Sequence, residues 1–415
     1  MSVRVGMTLY GEVAHDARVR RAAASLTAAG FEVTIACLPG PSSEQVDTLD
    51  GARLLPLAPS GRDAVLPGAD SPFRVVSQTA RPAALRRVRW LQAYGSSLRS
   101  WRREVLARMP PCDVWHGHDL FGVWVAAALR RQHGGRLVYD SHELFLESGS
   151  AVRLPFPGRR ILGRLERGLA RSADAVITVN PAIAAELGRR YGVEAVVVMN
   201  VPRDWSPTGR DPLRERLGIG DRPIVLYHGA LSPGRGVEQL VEASGSLPSG
   251  IAVVLLGDGP LGVDPPASWD DPRLAGRLFT HPAVSLEELP DWVASADVGV
   301  VAFQAANRNN YLASPNKLFD YLVSGVPVVG SDFPEIRRLI GEVDGGSCVD
   351  PADPVRLAEA VVAVLRRFGR VDSAERDALR RRSQDRFAWP TQEARLLSVY
   401  ARLAAAPRTS RAPST

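Results

Sequence analysis

Of the 51 basic residues in this 415-residue chain, 50 are arginine and Lys317 is the only lysine. It sits in the run Ser314-Pro315-Asn316-Lys317-Leu318-Phe319-Asp320, followed by Gly325 and the apolar stretch 326–329. Ser314 suits an N-cap and Pro315 a first helical turn, so a helix is expected from Asn316 to Ser324, stopped by Gly325. A helix N-terminus offers unpaired N–H groups and partial positive charge, which suits phosphate. Lys317 adds a full charge there, and Asp320, one turn on, can accept hydrogen bonds from ribose hydroxyls. The plainer alternative is a capped surface helix with an ordinary lysine, since an arginine-favouring composition alone makes lysine scarce.

A second constellation is His228-Gly229-Ala230-Leu231-Ser232-Pro233-Gly234-Arg235-Gly236, directly after the apolar run 224–227. Gly229, Gly234 and Gly236 let backbone approach a ligand, and Arg235 can pair with phosphate oxygens bidentately. The loop lacks the Gly-Lys-Ser/Thr ending of a nucleotide P-loop. The first apolar run ends at Leu9-Tyr10-Gly11 with too few glycines for a dinucleotide fingerprint, which counts against a nicotinamide or flavin cofactor. Four of the seven histidines, His116, His118, His142 and His228, end apolar runs. His116 and His118 share a face if the strand continues that far, and diverge if the chain has already turned. His118, followed by Asp119 at an expected helix start, is the better ligand candidate; His228 is more simply a packed strand-end residue.

These residues need a scaffold, and the pattern supplies one. Apolar runs rich in valine and isoleucine at 3–9, 32–38, 113–118, 137–140, 175–179 and 195–199 read as buried parallel strands, with helical patterns between them at 16–29, 121–132 and 181–191. The rhythm restarts with strands at 224–228, 251–256, 297–303 and 326–329 and helices at 237–244, 286–295 and 316–323. The expected fold is therefore α/β: two tandem Rossmann-like, doubly wound domains with a cleft between them. The expected boundaries are 1–200 for the first domain, 201–222 for a Pro/Gly-rich linker and 223–388 for the second domain. A last helix at 389–405 is expected to return to the first domain, ahead of a disordered tail at 406–415.

Bulk composition narrows the class. At 45% hydrophobic and 23% charged the chain is globular, and its net charge of +6 falls short of a nucleic-acid footprint. No apolar run approaches the roughly 20 residues that span a bilayer. Residues 1–10 read as a strand, with no leader pattern, and Cys37, Cys112 and Cys348 form no paired spacing. A cytoplasmic location is expected, without disulfides or a metal site. Segment 81–109 holds eight arginines against one glutamate, with apolar residues near helical spacing. It either packs on the first sheet with a solvated arginine face, the favoured reading, or makes a peripheral membrane contact.

Taken together, the segments resemble family-4 retaining glycosyltransferases of the GT-B architecture. The resemblance runs through Asp16-Ala17-Arg18-Val19, His116-Gly117-His118-Asp119, Tyr139-Asp140-Ser141-His142-Glu143, Asn200-Val201-Pro202, Leu256-Gly257-Asp258-Gly259 and the stretch from Ser314 to Val329. It implies a sugar moved from a nucleoside-diphosphate sugar, as co-substrate, to an acceptor that is a small molecule, glycan or glycolipid. It further implies retention of configuration, with no other cofactor and no nucleic-acid partner. Arg235 and Lys317 then match the pair that grips the donor pyrophosphate, and His142 the histidine that meets the transferred sugar, these three being the catalytic set. Gly229, Gly234, Gly236, Ser314, Asn316 and Asp320 would line the donor site, and a loop at His281, Pro282 and Ala283 would read the nucleobase. His15, Asp16 and His118 are candidates for the acceptor side, although Asp16 also suits an N-cap.

Two positions depart from the family pattern. Leu312 stands where the first of two glutamates is usual, with Asn310 a nearby substitute, and Ala230 stands where an arginine is usual. With no Asp-x-Asp motif in place, the leaving diphosphate is expected to be stabilised by Arg235, Lys317 and the helix dipole without a metal. A nucleotide-sugar epimerase or hydrolase of the same architecture would need a pair of carboxylates at the reacting carbon, and none is evident. A non-catalytic nucleotide-sugar-binding subunit would bind donor and transfer nothing.

Overall fold

The computed structural model describes residues 2–40, 47–60, 80–148, 151–203, 205–370 and 373–405, with the side chains of His15, Arg153 and 80–88 outside the description. The chain forms two compact units, Met1–Met199 with Glu393–Thr415, and Asn200–Gln392. The expected tail at 406–415 lies outside the described residues.

The first unit holds strands β1 (Arg4–Thr8), β2 (Glu32–Cys37), β3 (Thr48–Leu49), β4 (Ala52–Pro56), β5 (Val114–His118), β6 (Arg136–Ser141), β7 (Ala175–Thr178) and β8 (Ala195–Val197). Their order is β3-β4-β2-β1-β5-β6-β7-β8, parallel except for the β3–β4 pair. The second unit holds β9 (Ile224–His228), β10 (Ala252–Leu256), β11 (Leu278–His281), β12 (Val298–Val301), β13 (Val328–Ser331) and β14 (Gly346–Val349), all parallel, in the order β11-β10-β9-β12-β13-β14. The central strands β5, β9, β10, β12 and β13 are buried at every residue, because helices cover both faces and no position can be polar without a partner. Each sheet reverses direction of winding once, between β1 and β5 in the first unit and between β9 and β12 in the second. Ligands of doubly wound sheets bind beyond the carboxyl ends of strands at such points.

The unexpected strands β3, β4, β11 and β14 all lie at or next to sheet edges. Residues 201–222 are more than a linker: helix Pro212–Leu217 lies there, capped by the Asp211 side chain, with Leu213 wholly buried in the second unit. Ser314 is not the cap of helix Asn316–Val323; Pro315 precedes the helix in extended conformation and no side chain caps it. His281, expected in a loop, is the last residue of β11, paired with Leu256 of β10.

Segment 81–109 forms helix Ala80–Arg108. Leu98, Trp101, Val105 and Met109 are buried, and Trp101 and Tyr94 pack on Tyr10 at ring separations of 5.1 and 5.8 Å. Over 89–109 these apolar side chains pack into the core, which fits the favoured packing reading of the segment. Helix Trp389–Ala405 belongs to the first unit from Glu393 onward, with the Tyr400 ring 5.4 Å from Phe31.

Close approach of helix Asp119–His133 to β1 depends on Gly122. A Cβ there would lie 2.4 Å from the Thr8 carbonyl oxygen, a backbone atom that cannot swing away. Gly122→Ala should therefore destabilise the first unit by ~2–4 kcal/mol, through backbone displacement in a packed core. A urea titration checks this; a midpoint equal to the parent's contradicts the packing account.

Candidate functional site

Each unit carries one polar constellation at the carboxyl edge of its sheet. In the second unit β9 delivers Tyr227 and His228, and the chain turns through Gly229, Gly234 and Gly236, all at positive φ (106°, 80° and 85°). Gly236 is obligatory, since its Cβ would lie 2.1 Å from the Ala302 carbonyl oxygen just past β12. Helix Asn316–Val323 enters the same place, with Lys317 only 8% exposed.

The Lys317 Nζ lies 3.4 Å from the Tyr227 ring centroid and 5.9 Å from that of Phe303. The Arg235 guanidinium covers the same Phe303 ring at 4.7 Å. Two cations thus share one aromatic floor, and Nζ has no hydrogen-bond partner among the described residues. Burial first, and Arg235's charge second, hold the lysine well below the usual amine range, with Asp320 opposing. Asp320 is the carboxylate whose field opposes the repulsion at Lys317. A ligand with two or more negative charges relieves the repulsion and the desolvation together.

Asp320 faces His228, with Oδ2 3.6 Å from Nε2. Burial, and then the charge of Lys317, push that imidazole well below its ordinary range, so it is neutral beside the carboxylate. Asn316 is exposed and its Oδ1 accepts from Asn200 Nδ2 at 2.8 Å. Ser314 is buried at the same helix end. The Asn310 amide nitrogen donates to the carbonyls of Gly234 and Gln304 at 3.4 and 3.3 Å, so Asn310 braces the glycine loop. Leu312, where the family's first carboxylate is usual, is 5% exposed in helix Arg308–Leu312. His281 stands at the same sheet edge but two strands from His228, its Nδ1 2.8 Å from the Pro282 carbonyl and its ring 4.3 Å from Trp292.

The first unit assembles its constellation from β5 and β6. His116 and His118 do face the same way, their rings stacked at 4.3 Å, and β5–β6 register sets His118 beside Asp140. Asp140 is the hub. Arg18, from the first turn of helix Ala17–Ala28, grips both its oxygens at 2.9 and 2.6 Å and donates to the Val198 carbonyl at 2.8 Å. His116 Nε2, His118 Nδ1 and His142 Nε2 each lie 3.6 Å from Asp140 Oδ2. Burial alone would raise this carboxyl, but Arg18 and the three imidazoles hold it well below the usual range.

His142 contacts His118 Nδ1 at 3.1 Å, and its other nitrogen faces Asp119 at 3.6 Å and Asp16 at 4.0 Å. Burial lowers its affinity for a proton, yet the surrounding carboxylates Asp119, Asp140 and Asp16 outweigh this and raise it to about 9. His118, by contrast, is driven down to about 3 by burial and by His116. His142 is therefore protonated near neutrality, while burial pushes the Asp119 carboxyl beside it up to about 7, so the two titrate as a pair. Asp119 is held at φ 53°, a left-handed conformation that strains a residue with a Cβ, and its Oδ1 accepts from the His142 backbone N–H at 2.9 Å. Asp16 is both the helix cap, accepting from Arg18 and Val19 N–H groups at 3.1 and 3.0 Å, and a neighbour of His142. His15 lies in the short helix Val13–His15 with its side chain outside the description.

His116, His118 and Asp140 offer ligand atoms within 4.8 Å of one another, the metal-like group found among the described residues. Arg18 already occupies both Asp140 oxygens and Tyr400 Oη lies 2.7 Å from His116 Nδ1, so this spacing is filled by an internal cation and a phenol. Arg18, Asp140, Tyr227, Phe303 and Tyr400 are the site-shaping residues that local sequence reading overlooks. Asp16, two residues before Arg18, is taken up as the helix cap, so the sequence holds no local signal that Arg18 pairs with a carboxylate 122 residues away.

The chain matches the glycosyl transferase 4-like domain family over residues 15–204 and the glycosyl transferases group 1 family over 222–367. It is 31% identical over 313 residues to a D-inositol 3-phosphate glycosyltransferase of Xylanimonas cellulosilytica, covering 70% of this chain and 72% of that protein. It is 26% identical over 305 residues to a GDP-mannose-dependent alpha-(1-6)-phosphatidylinositol monomannoside mannosyltransferase of Mycolicibacterium smegmatis, covering 68% and 76%. Among solved structures it superposes on sucrose-phosphate synthase from Thermosynechococcus elongatus with a TM-score of 0.72 at 18% identity, covering 97% and 99%. The fold and matches define a GT-B glycosyltransferase. The chain belongs to the family-4 glycosyltransferases.

The raised proton affinity of His142 predicts a pH dependence. Its folded value, about 9, exceeds the ordinary 6.5, so its contribution is lost as pH rises through 9, and because Asp119 is itself ionised only above about 7 the charged pair is fullest between these two values. Stability of the first unit should fall by roughly 1–3 kcal/mol between pH 6.5 and 9 from this group. His142→Asn should flatten that slope in urea titrations, and an unchanged slope contradicts the imidazolium assignment.

Proposed function

We propose that this glycosyltransferase is a retaining hexosyltransferase whose donor is a nucleoside-diphosphate sugar held in the second unit without a divalent ion. The observation that carries this reading is the partnerless, buried Lys317 ammonium beside Arg235 on the Phe303 ring. As the glycosidic bond breaks, negative charge grows on the departing diphosphate, and cations fixed in advance stabilise that state more than the ground state. The N-terminus of helix Asn316–Val323 adds unpaired N–H groups on the same side. Asp320, which faces neutral His228 at 3.6 Å, is assigned to the ribose hydroxyls, and the turn at His281 to the nucleobase.

His142 is assigned to the transferred sugar. A histidine that holds its proton to about pH 9 is a hydrogen-bond donor and not a general base near neutrality. The proton of the attacking hydroxyl is therefore assigned to the leaving phosphate oxygen on the same face, which fits retention without a protein nucleophile. The acceptor is a hydroxyl compound. The two relatives above are named for inositol-containing acceptors, which makes polyol phosphates and their lipids the first panel to assay.

Arg235→Ala and Lys317→Met should each weaken nucleoside-diphosphate binding by about 10–100-fold, the loss expected for one charge-assisted contact. Calorimetry on the two variants measures this, and parent-like affinity in both refutes the donor-site assignment. Donor incubated alone should turn over slowly compared with donor plus acceptor. Fast turnover without acceptor would instead favour an epimerase or hydrolase, and binding without any transfer a non-catalytic subunit.

A further inference from the structure

Helix Phe156–Ser172 carries five arginines, Arg159, Arg160, Arg164, Arg167 and Arg171, against one acid. That acid, Glu166, points inward: it is 1% exposed and accepts from the Tyr139 and Tyr191 hydroxyls at 2.8 and 2.7 Å. Leu169 and Ala170 are buried on the inward side as well. At 100° per residue, Phe156, Arg160, Ile161, Arg164, Arg167 and Arg171 fall on a single outward arc of about 140°.

Two features of this arc are unusual. Phe156 and Ile161 are 73% and 63% exposed, two of the five large hydrophobics that stand exposed among the described residues, and both lie on this one helix. Arg160, Arg164 and Arg167 make no ion pair with any described residue, whereas Arg159 is engaged by Glu147 at 3.1 Å. At the helix start a recess of about 530 Å³ is lined by Leu146, Leu154, Phe156, Arg159 and Arg160, an apolar floor with a guanidinium rim.

We propose that this face docks on an anionic phospholipid surface. A merely solvated face accounts for the arginines but leaves Phe156 and Ile161 in water at a cost. A polyanion such as nucleic acid would take the arginines and leave the isoleucine with nothing to bury against. A bilayer interface takes both: guanidinium groups pair with lipid phosphates, and the two apolar side chains enter the acyl boundary. No described helix is long and apolar enough to cross a membrane, so the attachment is peripheral.

The experiment is co-sedimentation of the full chain with vesicles of phosphatidylcholine alone or mixed with phosphatidylglycerol. Binding is expected only to the mixed vesicles, weakening by at least tenfold in about 0.5 M salt. R160E/R164E/R167E and F156S/I161S should each reduce it by roughly tenfold or more while leaving nucleoside-diphosphate affinity unchanged. In a Phe156→Trp variant, tryptophan emission should shift to the blue on adding mixed vesicles, a readout that does not depend on how the charge-reversed variant folds. The proposal is overturned if mixed vesicles do not bind the chain. It is equally overturned if binding ignores both variants, or if duplex DNA binds the arginine face while vesicles leave the emission of F156W unmoved. None of these outcomes bears on the donor-site assignment, which the diphosphate affinity tests separately.

Discussion

A lysine ammonium buried on an aromatic ring, with a guanidinium nearby and no hydrogen-bond partner among the described residues, is an expensive object for a protein to fold. Cation–π contact with Tyr227 returns on the order of 1–2 kcal/mol, less than desolvation and like-charge repulsion demand. Everything around Lys317 serves to keep it there anyway. The strand β9 fixes Tyr227, the loop glycines admit backbone where side chains would collide, Asn310 ties that loop through Gly234, and Phe303 follows β12 across the point where the sheet winding reverses. The cost is borne by the packed sheet, and under the proposed function an arriving diphosphate would remove it. On that proposal, binding energy and transition-state stabilisation would come from one preorganised pair of charges.

The first unit solves the opposite problem. Its hub is a buried carboxylate, Asp140, fully compensated by the fork of Arg18 and surrounded by three imidazoles. Because Arg18 satisfies the hub, the histidines are positioned without each having to be charged. His142 is protonated near neutrality, where Asp119, Asp140 and Asp16 outweigh its burial, and it shares its titration with the Asp119 carboxyl, itself raised to about 7. One unit thus keeps an unmet demand for an anion, and the other a satisfied network that presents one imidazolium. Removing either Arg18 or Asp140 alone leaves a buried charge exposed to the full desolvation penalty.

Much of this was legible in the residues. The valine-rich central strands announce themselves because burial on both faces forbids polar positions. β11 and β14 do not, because an edge strand is only half-covered and its run, Leu278-Phe279-Thr280-His281, mixes apolar with polar. Helix Phe156–Ser172 was obscured by its prolines and arginines. At the site, Lys317, Arg235, His142 and Asp320 sit in local patterns that a linear reading can weigh. Arg18 and Asp140 are 122 residues apart, and His116 and Tyr400 are separated by 284, so those pairings exist only once the sheet order is fixed. The Ser314 cap failed for a local reason: the proline after it occupies the capping position itself.

The solitary status of Lys317 makes the central claim open to direct observation, since a lysine-labelled sample contains one ammonium signal in the entire chain. Titrating its ¹⁵Nζ resonance by NMR, free and saturated with a nucleoside diphosphate, measures the electrostatic demand that the structure places there. The account predicts a proton affinity well below that of an ordinary lysine in the free protein, rising when diphosphate is bound. An ordinary lysine value that diphosphate does not move would contradict it.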